Sequence, residues 1–431
     1  GEATGDNLGW SVSLSADGNT LAIGARGGKG RVKVYFMEEY DKGPSWKQLG
    51  QDIDGEAAGD IFGYSVSLSA NGKTLAIGNP RNDGNGKDSG HVRVYHIEGD
   101  SPGSSWQQLG QDINGEAVGD QSGYSVSLSG DGKTLAIGAH GNNGNGDYSG
   151  HVRVYHMEED DKGASWKQLG QDIVGEAAGD QSGYSVSLSG NGMTLAIGAY
   201  MNDGNGNNSG HVRLYGLDGD GTASSWKQLG EDIDGEASGD YSGYSVSLSA
   251  NGKIIAIGAP GNVGNFDSSG HVRVYHMEED EKGASWNQLG EDIDGEAAGD
   301  DSEWSVSLSA DGKILAIGAR LNDGNGVDSG HVRVYHMAGD GSSSCWQQLG
   351  QDLMVKKLMI SQDCPCLFHG EGTASSWKQL GQDINGEAAY DTSGWSVSLS
   401  ADGKTVAIGS PSGNGDNGYR SGRARVFNID Y

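Results

Sequence analysis

The sequence predicts an all-β chain: a seven-bladed β-propeller of four-stranded antiparallel blades with one irregular insert. Three observations predict it. Tryptophans at Trp46, Trp106, Trp166, Trp226, Trp286 and Trp346 stand 60 residues apart, and the aromatic that opens each unit recurs seven times, as Trp10, Tyr64, Tyr124, Tyr184, Tyr244, Trp304 and Trp395. Within a unit, apolar residues alternate with period two, and no helical period is present. The 77 glycines supply turns, while a hydrophobic content of 34% is thin for one large core and sufficient for many small layers between blades.

The unit at 115–173 shows the elements in order. "YSVSLS" sets Tyr124, Val126 and Leu128 on one face and Ser125, Ser127 and Ser129 on the other, as a pleated strand requires. "GDGK" follows, with "ANGK" and "ADGK" in sister units, and an Asn-Gly or Asp-Gly pair between apolar runs signals a hairpin whose two central residues tolerate positive φ. "TLAIGA" is the second strand, "HVRVYHM" after a Gly/Asn-rich loop the third, and "SWKQLG" after an acidic loop the fourth. A sheet of about 60 residues cannot bury both faces alone, and radial stacking covers each face with a neighbour; an open solenoid is the competing arrangement. The chain reads as one domain over 1–431, with blades at about 1–53, 54–113, 114–173, 174–233, 234–293, 294–353 and 385–431 and the insert at about 354–384.

"FGYSVSLSANGKTLAIGNP" (62–80) and "GYSVSLSANGKIIAIGAP" (243–260) resemble the FG-GAP repeat of integrin α-like propellers, which secreted microbial and algal proteins also carry. Phe62-Gly63 opens one unit, Gly258-Ala259-Pro260 closes the second strand of another, and "GHVRVY" matches the family's third strand. Family members that bind calcium use an Asp-rich loop between strands one and two; here that loop is the short Gly130-Asp131-Gly132-Lys133, so calcium is not expected there. The resemblance implies that the two-three and four-one loops share an upper, ligand-binding rim. Those loops, "NDGNGKDSG" and "DGEAAGD", are rich in carboxylates and amides, so an acidic rim is expected on a chain of net charge -30, a field that opposes nucleic acid and anionic membranes. The charge serves equally as a solubility device.

Candidate sites follow from chemistry and from recurrence. Asp83, Asn85 and Asp88 offer closely spaced oxygens that suit calcium, the one cofactor suggested. Against it, Asn82 and Asn85 recur as Asn142 and Asn145, Asn202 and Asn205, which fits turn chemistry. His151 and His156 are five apart on a strand and point to opposite faces, so interblade packing is expected of them instead of a shared metal. No phosphate loop, nucleophile elbow or Ser-His-Asp arrangement is discernible. Recurring residues are best explained by folding, so function is expected where units differ. The position after strand two is Arg26, Pro80, His140, Tyr200, Pro260, Arg320 and Pro411 in turn, and Arg26, His140, Tyr200 and Arg320 are the candidate ligand-binding residues near the axis.

The repeat breaks off at Leu353 and resumes at Gly370. One permitted back-translation of 354–367, read from its third nucleotide, gives GEEADDQSGLSLS, close to the repeat's own GEAAGDQSGYSVS, so a blade copy read out of frame is expected there. Cys345, Cys364 and Cys366 lie in or beside it and read as accidental coding. Seven "W-x-Q-L-G" strands exist, two of them, at Trp346 and Trp377, competing for blade six, while blade seven has three strands of its own. A weak seam is therefore expected between 395–431 and the first blade. Gly1 in place of an initiator Met reads as part of a longer chain. The resulting expectation is a non-catalytic extracellular or cell-surface adhesion module that binds a protein or glycan on its upper rim, without nucleic acid and without membrane insertion. The alternatives are a polysaccharide lyase or hydrolase on the same scaffold, and a purely structural wall component.

Overall fold

Each "SVSL" segment forms the innermost strand of a blade because its serines bond sideways as well as along the sheet. Ser125 Oγ donates to the Gly183 carbonyl of the next blade at 2.8 Å, and Ser127 Oγ accepts the Leu188 N–H at 2.9 Å. The same pair of bonds recurs around the ring, so the polar face of strand one is the fastener between blades. The structure is a computed structural model that describes every residue except 41–42, 100–102, 162, 220–223, 264–268, 282, 298, 300–303, 339–344, 348–376, 415–417 and 430–431. Among the described residues it is a seven-bladed β-propeller of antiparallel sheets without helices.

Blade three is representative: Ser125–Leu128, Thr134–Ala139, His151–Asp160 and Gly163–Gln168 run from the axis outward, and Ile173–Val174 continues the fourth strand against the third. Between blades lie apolar layers, each mixing the outer strands of one blade with the second and fourth strands of the next: Val92, Val94 and Ile113 meet Leu135, Ile137 and Trp166. Gly138 is required at this contact, since a Cβ there would stand 2.0 Å from the Gly183 carbonyl oxygen.

Two details differ from the sequence reading. The hairpin between strands one and two is longer than a two-residue turn: Gly132 alone takes positive φ, at 71°, and Asp131 instead accepts the Ser129 hydroxyl at 2.6 Å and the Lys133 N–H at 2.9 Å. In blade six both competing copies are used. Trp346 pairs with Met337, whereas Gln379 and Leu380, from a strand Trp377–Asn385 that begins inside the expected insert, pair with Tyr335 and Val334. The segment at 354–367 and its two cysteines lie outside the described residues.

Candidate functional site: an aromatic ring at the axis

The residue before each "SVSL" strand points to the axis, and in all seven units it is aromatic. The seven rings close on one another in order, with centroids 4.3–5.5 Å apart and planes tilted by 44–50°, from Trp10 through Tyr64, Tyr124, Tyr184, Tyr244, Trp304 and Trp395 back to Trp10. This tilted, edge-to-face spacing is the favoured one for aromatic quadrupoles. Tyr184 Oη donates to Tyr244 Oη at 2.8 Å within the ring. Burial raises the pKa of Tyr64, Tyr124, Tyr184 and Tyr244 well above the ordinary phenol value, so all four stay neutral hydrogen-bonding groups.

The structure places the four variable residues on this ring. Arg26 lies 3.5 Å over Trp10, and Arg320 lies 3.4 Å over Trp304 and 4.9 Å from Trp395, both within cation–π range. His140 packs 4.0 Å from Tyr124 and 5.7 Å from Tyr184, is buried, and has its pKa pushed down to about 4 by that burial. Tyr200 stacks 4.3 Å from Tyr184, donates to Gln181 Oε1 at 3.2 Å, and has its pKa pushed up to about 12, first by burial. Beside it opens a cavity of about 340 Å³ lined by Tyr184, Tyr200, Met201, Tyr241, Tyr244, Pro260, Gly261 and Trp304.

The ring therefore has two halves. Blades six, seven and one present indoles carrying guanidinium groups, with Arg81 and Arg420 near enough to Arg26 to depress its pKa further, after the larger effect of its burial. Blades three to five present phenols, an uncharged imidazole and the cavity. The mouth of the axis is thus arginine-bearing on an acidic chain, with Arg26 and Arg320 near the axis as the position after strand two implied. Part of the loop acidity is also consumed internally: buried Asp120 accepts the Glu116 and Ala117 N–H groups at 3.1 and 2.9 Å and the Asn142 amide at 3.2 Å.

The residues suggested for calcium are apart from this ring and hold their own loop. Asp83 Oδ1 accepts the Asp88 N–H at 2.8 Å, Asp88 sits at φ 52°, and the Asn85 amide donates to the Gly115 and Glu116 carbonyls at 2.9 and 3.0 Å. Asn82, Asn142, Asn202 and Asn322 each accept the N–H two residues ahead, which is the turn chemistry their recurrence implied. His151 and His156 do part company: His156 faces Thr134 Oγ1 at 3.4 Å, and His151 is buried beside Glu116 and Asp172. What sequence reasoning missed is the ring itself. Its signal was present, since one aromatic at one fixed position per unit must converge when the units close.

The FG-GAP repeat family matches residues 53–95, 114–155 and 175–215. The chain carries FG-GAP repeats. Among solved structures, this FG-GAP propeller resembles the periplasmic gluconolactonase PpgL of Pseudomonas aeruginosa, at 16% identity over 87% of each chain and a TM-score of 0.52. It is also similar to Sqt1 of Saccharomyces cerevisiae, at 14% identity over 99% of this chain and 86% of that one, with a TM-score of 0.48. At 16% identity the likeness to PpgL is one of fold alone. A comparison with curated proteins gave no match.

Proposed function

We propose that this FG-GAP propeller is a non-catalytic binding module, working outside the cell or on its surface, that takes a glycan at the axial aromatic ring. The observation that carries the reading is the closed ring of seven aromatics with a cavity of about 340 Å³ opening on Tyr184, Tyr200, Tyr244 and Trp304. Sugar rings present flat C–H faces that stack on phenols and indoles, and rigid two-torsion aromatic side chains lose little entropy when a ligand docks. Arg26 and Arg320 bring fixed positive charge to the same mouth, so a glycan bearing carboxylates fits better than a neutral one. Among the described residues the ring brings no two carboxylates together, the pair that glycoside hydrolysis ordinarily uses.

The test is titration of the whole chain with uronic-acid and neutral oligosaccharides, alongside Tyr200→Ala and Arg320→Ala and an assay for new reducing ends or opened lactones. Saturable binding of the acidic sugars, weakened about tenfold or more by either substitution, is expected, a loss of about 1.4 kcal/mol. Turnover would favour the polysaccharide-acting alternative. Binding indifferent to both substitutions would remove the ring from recognition.

A further inference from the structure

Away from the axis, one side-chain cluster repeats three times without a task in the reading above. In blades three, four and five a glutamate of the incoming four-one loop, the histidine that starts strand three and an aspartate from the break between the two segments of the outer strand converge: Glu116, His151 and Asp172; Glu176, His211 and Asp232; Glu236, His271 and Asp292. The histidines are 1–2% exposed. His211 Nδ1 stands 3.5 Å from Asp232 Oδ2 and 4.0 Å from Glu176 Oε2, and His271 Nδ1 stands 3.7 Å from Asp292 Oδ2 and 3.9 Å from Glu236 Oε2. These gaps exceed a normal N–H···O bond, at most about 3.2 Å. They approach the separation of about 3.4 Å between ligand atoms each about 2.1 Å from one tetrahedral ion.

Blade two supplies an internal control, because it has the same three residue types in a different state. There Arg93 closes the gap: it donates twice to Asp112, each at 2.8 Å, and to Glu56 at 2.6 Å. In blades three to five the corresponding arginine turns away to a backbone carbonyl, that of Asn114, Val174 or Asp234, at 2.7–2.9 Å, and comes only within 3.4–3.5 Å of the glutamate's other oxygen. The aspartates are already oriented, since Gln168, Gln228 and Gln288 donate to the second oxygen of Asp172, Asp232 and Asp292 at 2.6–2.7 Å. A further difference concerns the imidazole. In blade two the Asn79 amide nitrogen stands 3.4 Å from His91 Nε2, whereas alanine follows at Ala139, Ala199 and Ala259, leaving Nε2 of His151, His211 and His271 without a partner that would fix the proton on Nδ1.

We propose that these three clefts are sites for a first-row transition dication, Zn²⁺ by preference, each with one imidazole and two carboxylates from the protein and a position left for water. One nitrogen with two carboxylate oxygens suits zinc better than calcium or magnesium, which prefer all-oxygen shells. The ion ties the loop entering a blade to that blade's outer strand, so it stiffens the upper face without touching the axial ring.

The test uses the whole, tag-free chain with Cys345, Cys364 and Cys366 replaced by serine, stripped with chelator and titrated calorimetrically with Zn²⁺ alone. Three ions per chain are expected, and two in each of His151→Ala, His211→Ala and His271→Ala. Glu116→Gln, Glu176→Gln and Glu236→Gln change roughly half-exposed side chains and so keep the test open if a histidine variant does not fold; each is expected to weaken one of three sites at least tenfold. Arg93→Ala combined with Asn79→Ala, which removes from blade two both the guanidinium and the amide that fixes the His91 tautomer, is expected to raise the count to four. Co²⁺ is expected to give the visible bands of a low-coordinate ion, lost in the triple histidine variant. No saturable uptake, or uptake equal in the wild-type and triple variants because the ion sits on scattered surface carboxylates, overturns the proposal.

Discussion

The interface between blades two and three and the seam between blades seven and one are fastened alike at the axis and differently at the edge. In the former, Trp166 is 2% exposed, donates from Nε1 to the Leu109 carbonyl at 2.9 Å, and exchanges backbone bonds with the Gln111 amide at 2.8 and 3.2 Å. In the latter, blade seven has three strands among the described residues, and a cavity of about 380 Å³ opens where the five interfaces from blades one–two to blades five–six hold the leucine of a fourth strand, Leu49, Leu109, Leu169, Leu229 or Leu289. Trp46, the counterpart of Trp166, lines that cavity, and among the described residues no fourth-strand leucine packs beside it. Yet the inner strands close there as elsewhere: Ser396 Oγ donates to Gly9 O at 3.1 Å, and Ala401 N–H to Ala16 O at 2.8 Å. Ring closure and edge packing are therefore separate contributions, the first made by strand one and the second by strand four.

The largest expected effect breaks the comparison at the edge. Trp166→Ala empties a fully packed site and is expected to cost about 3–5 kcal/mol, whereas Trp46→Ala removes a side chain that already faces a cavity and is expected to cost about 1 kcal/mol. Denaturant unfolding of the two variants measures the difference. Equal losses would mean that the seam is as well packed as the middle.

Next comes acid. His140 sits in the ring of blade three, where the blades beside the seam have Arg26 and Pro411. Its pKa is pushed down from 6.5 to about 4 when folded, so between those values the unfolded chain binds more protons and stability rises with pH. The contribution is complete above about pH 6.5 and lost as pH falls through about 4, at most about 3 kcal/mol. His140→Tyr, the residue of the neighbouring blade, is expected to flatten that part of the pH profile while leaving exchange at the seam unchanged. A profile identical to wild type would remove His140 from the acid response.

The same comparison shows which features were legible in the sequence. Blade number, strand order and the position of Arg26, His140, Tyr200 and Arg320 near the axis follow from a period and a family layout, because both are properties of a repeat. The ring was overlooked because its members are 54 to 91 residues apart and touch only after closure. The internal use of part of the loop acidity was not legible, because composition counts Asp120 as a surface charge, whereas the structure buries it as an acceptor for its own loop. The shared fourth strand of blade six was unreadable for a different reason: two identical motifs compete for one edge, and pairing register settles the matter residue by residue.

Supplying the seam with an edge should sharpen the contrast more modestly. Adding "SWKQLGQDI" before Gly1 offers β33, the strand Arg423–Asn428 counted as the last in the chain, a partner, and offers Trp46 a leucine. Burial of the new apolar side chains is offset by the cost of ordering nine residues, so a net gain of about 1.4 kcal/mol, or tenfold slower amide exchange over 423–428, is expected. Exchange unchanged by the extension would show that the cavity does not accept a strand.

The smallest effect tests whether closure at the axis really is uniform. Ser127 Oγ accepts the Leu188 N–H at 2.9 Å between blades three and four, and Ser398 Oγ accepts the Leu14 N–H at 3.0 Å across the seam. Both serines are half-buried, and both bonds link a backbone donor of one innermost strand to the side chain of its neighbour. Removing such an acceptor leaves the partly buried N–H without its bond and typically costs about 1 kcal/mol. Ser127→Ala and Ser398→Ala are therefore expected to cost the same, within about 0.5 kcal/mol, although the packing outside them differs so widely. A much smaller loss at Ser398 would mean that the seam is already loose at the axis, and that edge packing by strand four is what holds strand one in place. Equal losses, combined with unequal losses for the two tryptophans, would establish that the inner ring closes independently of its outer strands.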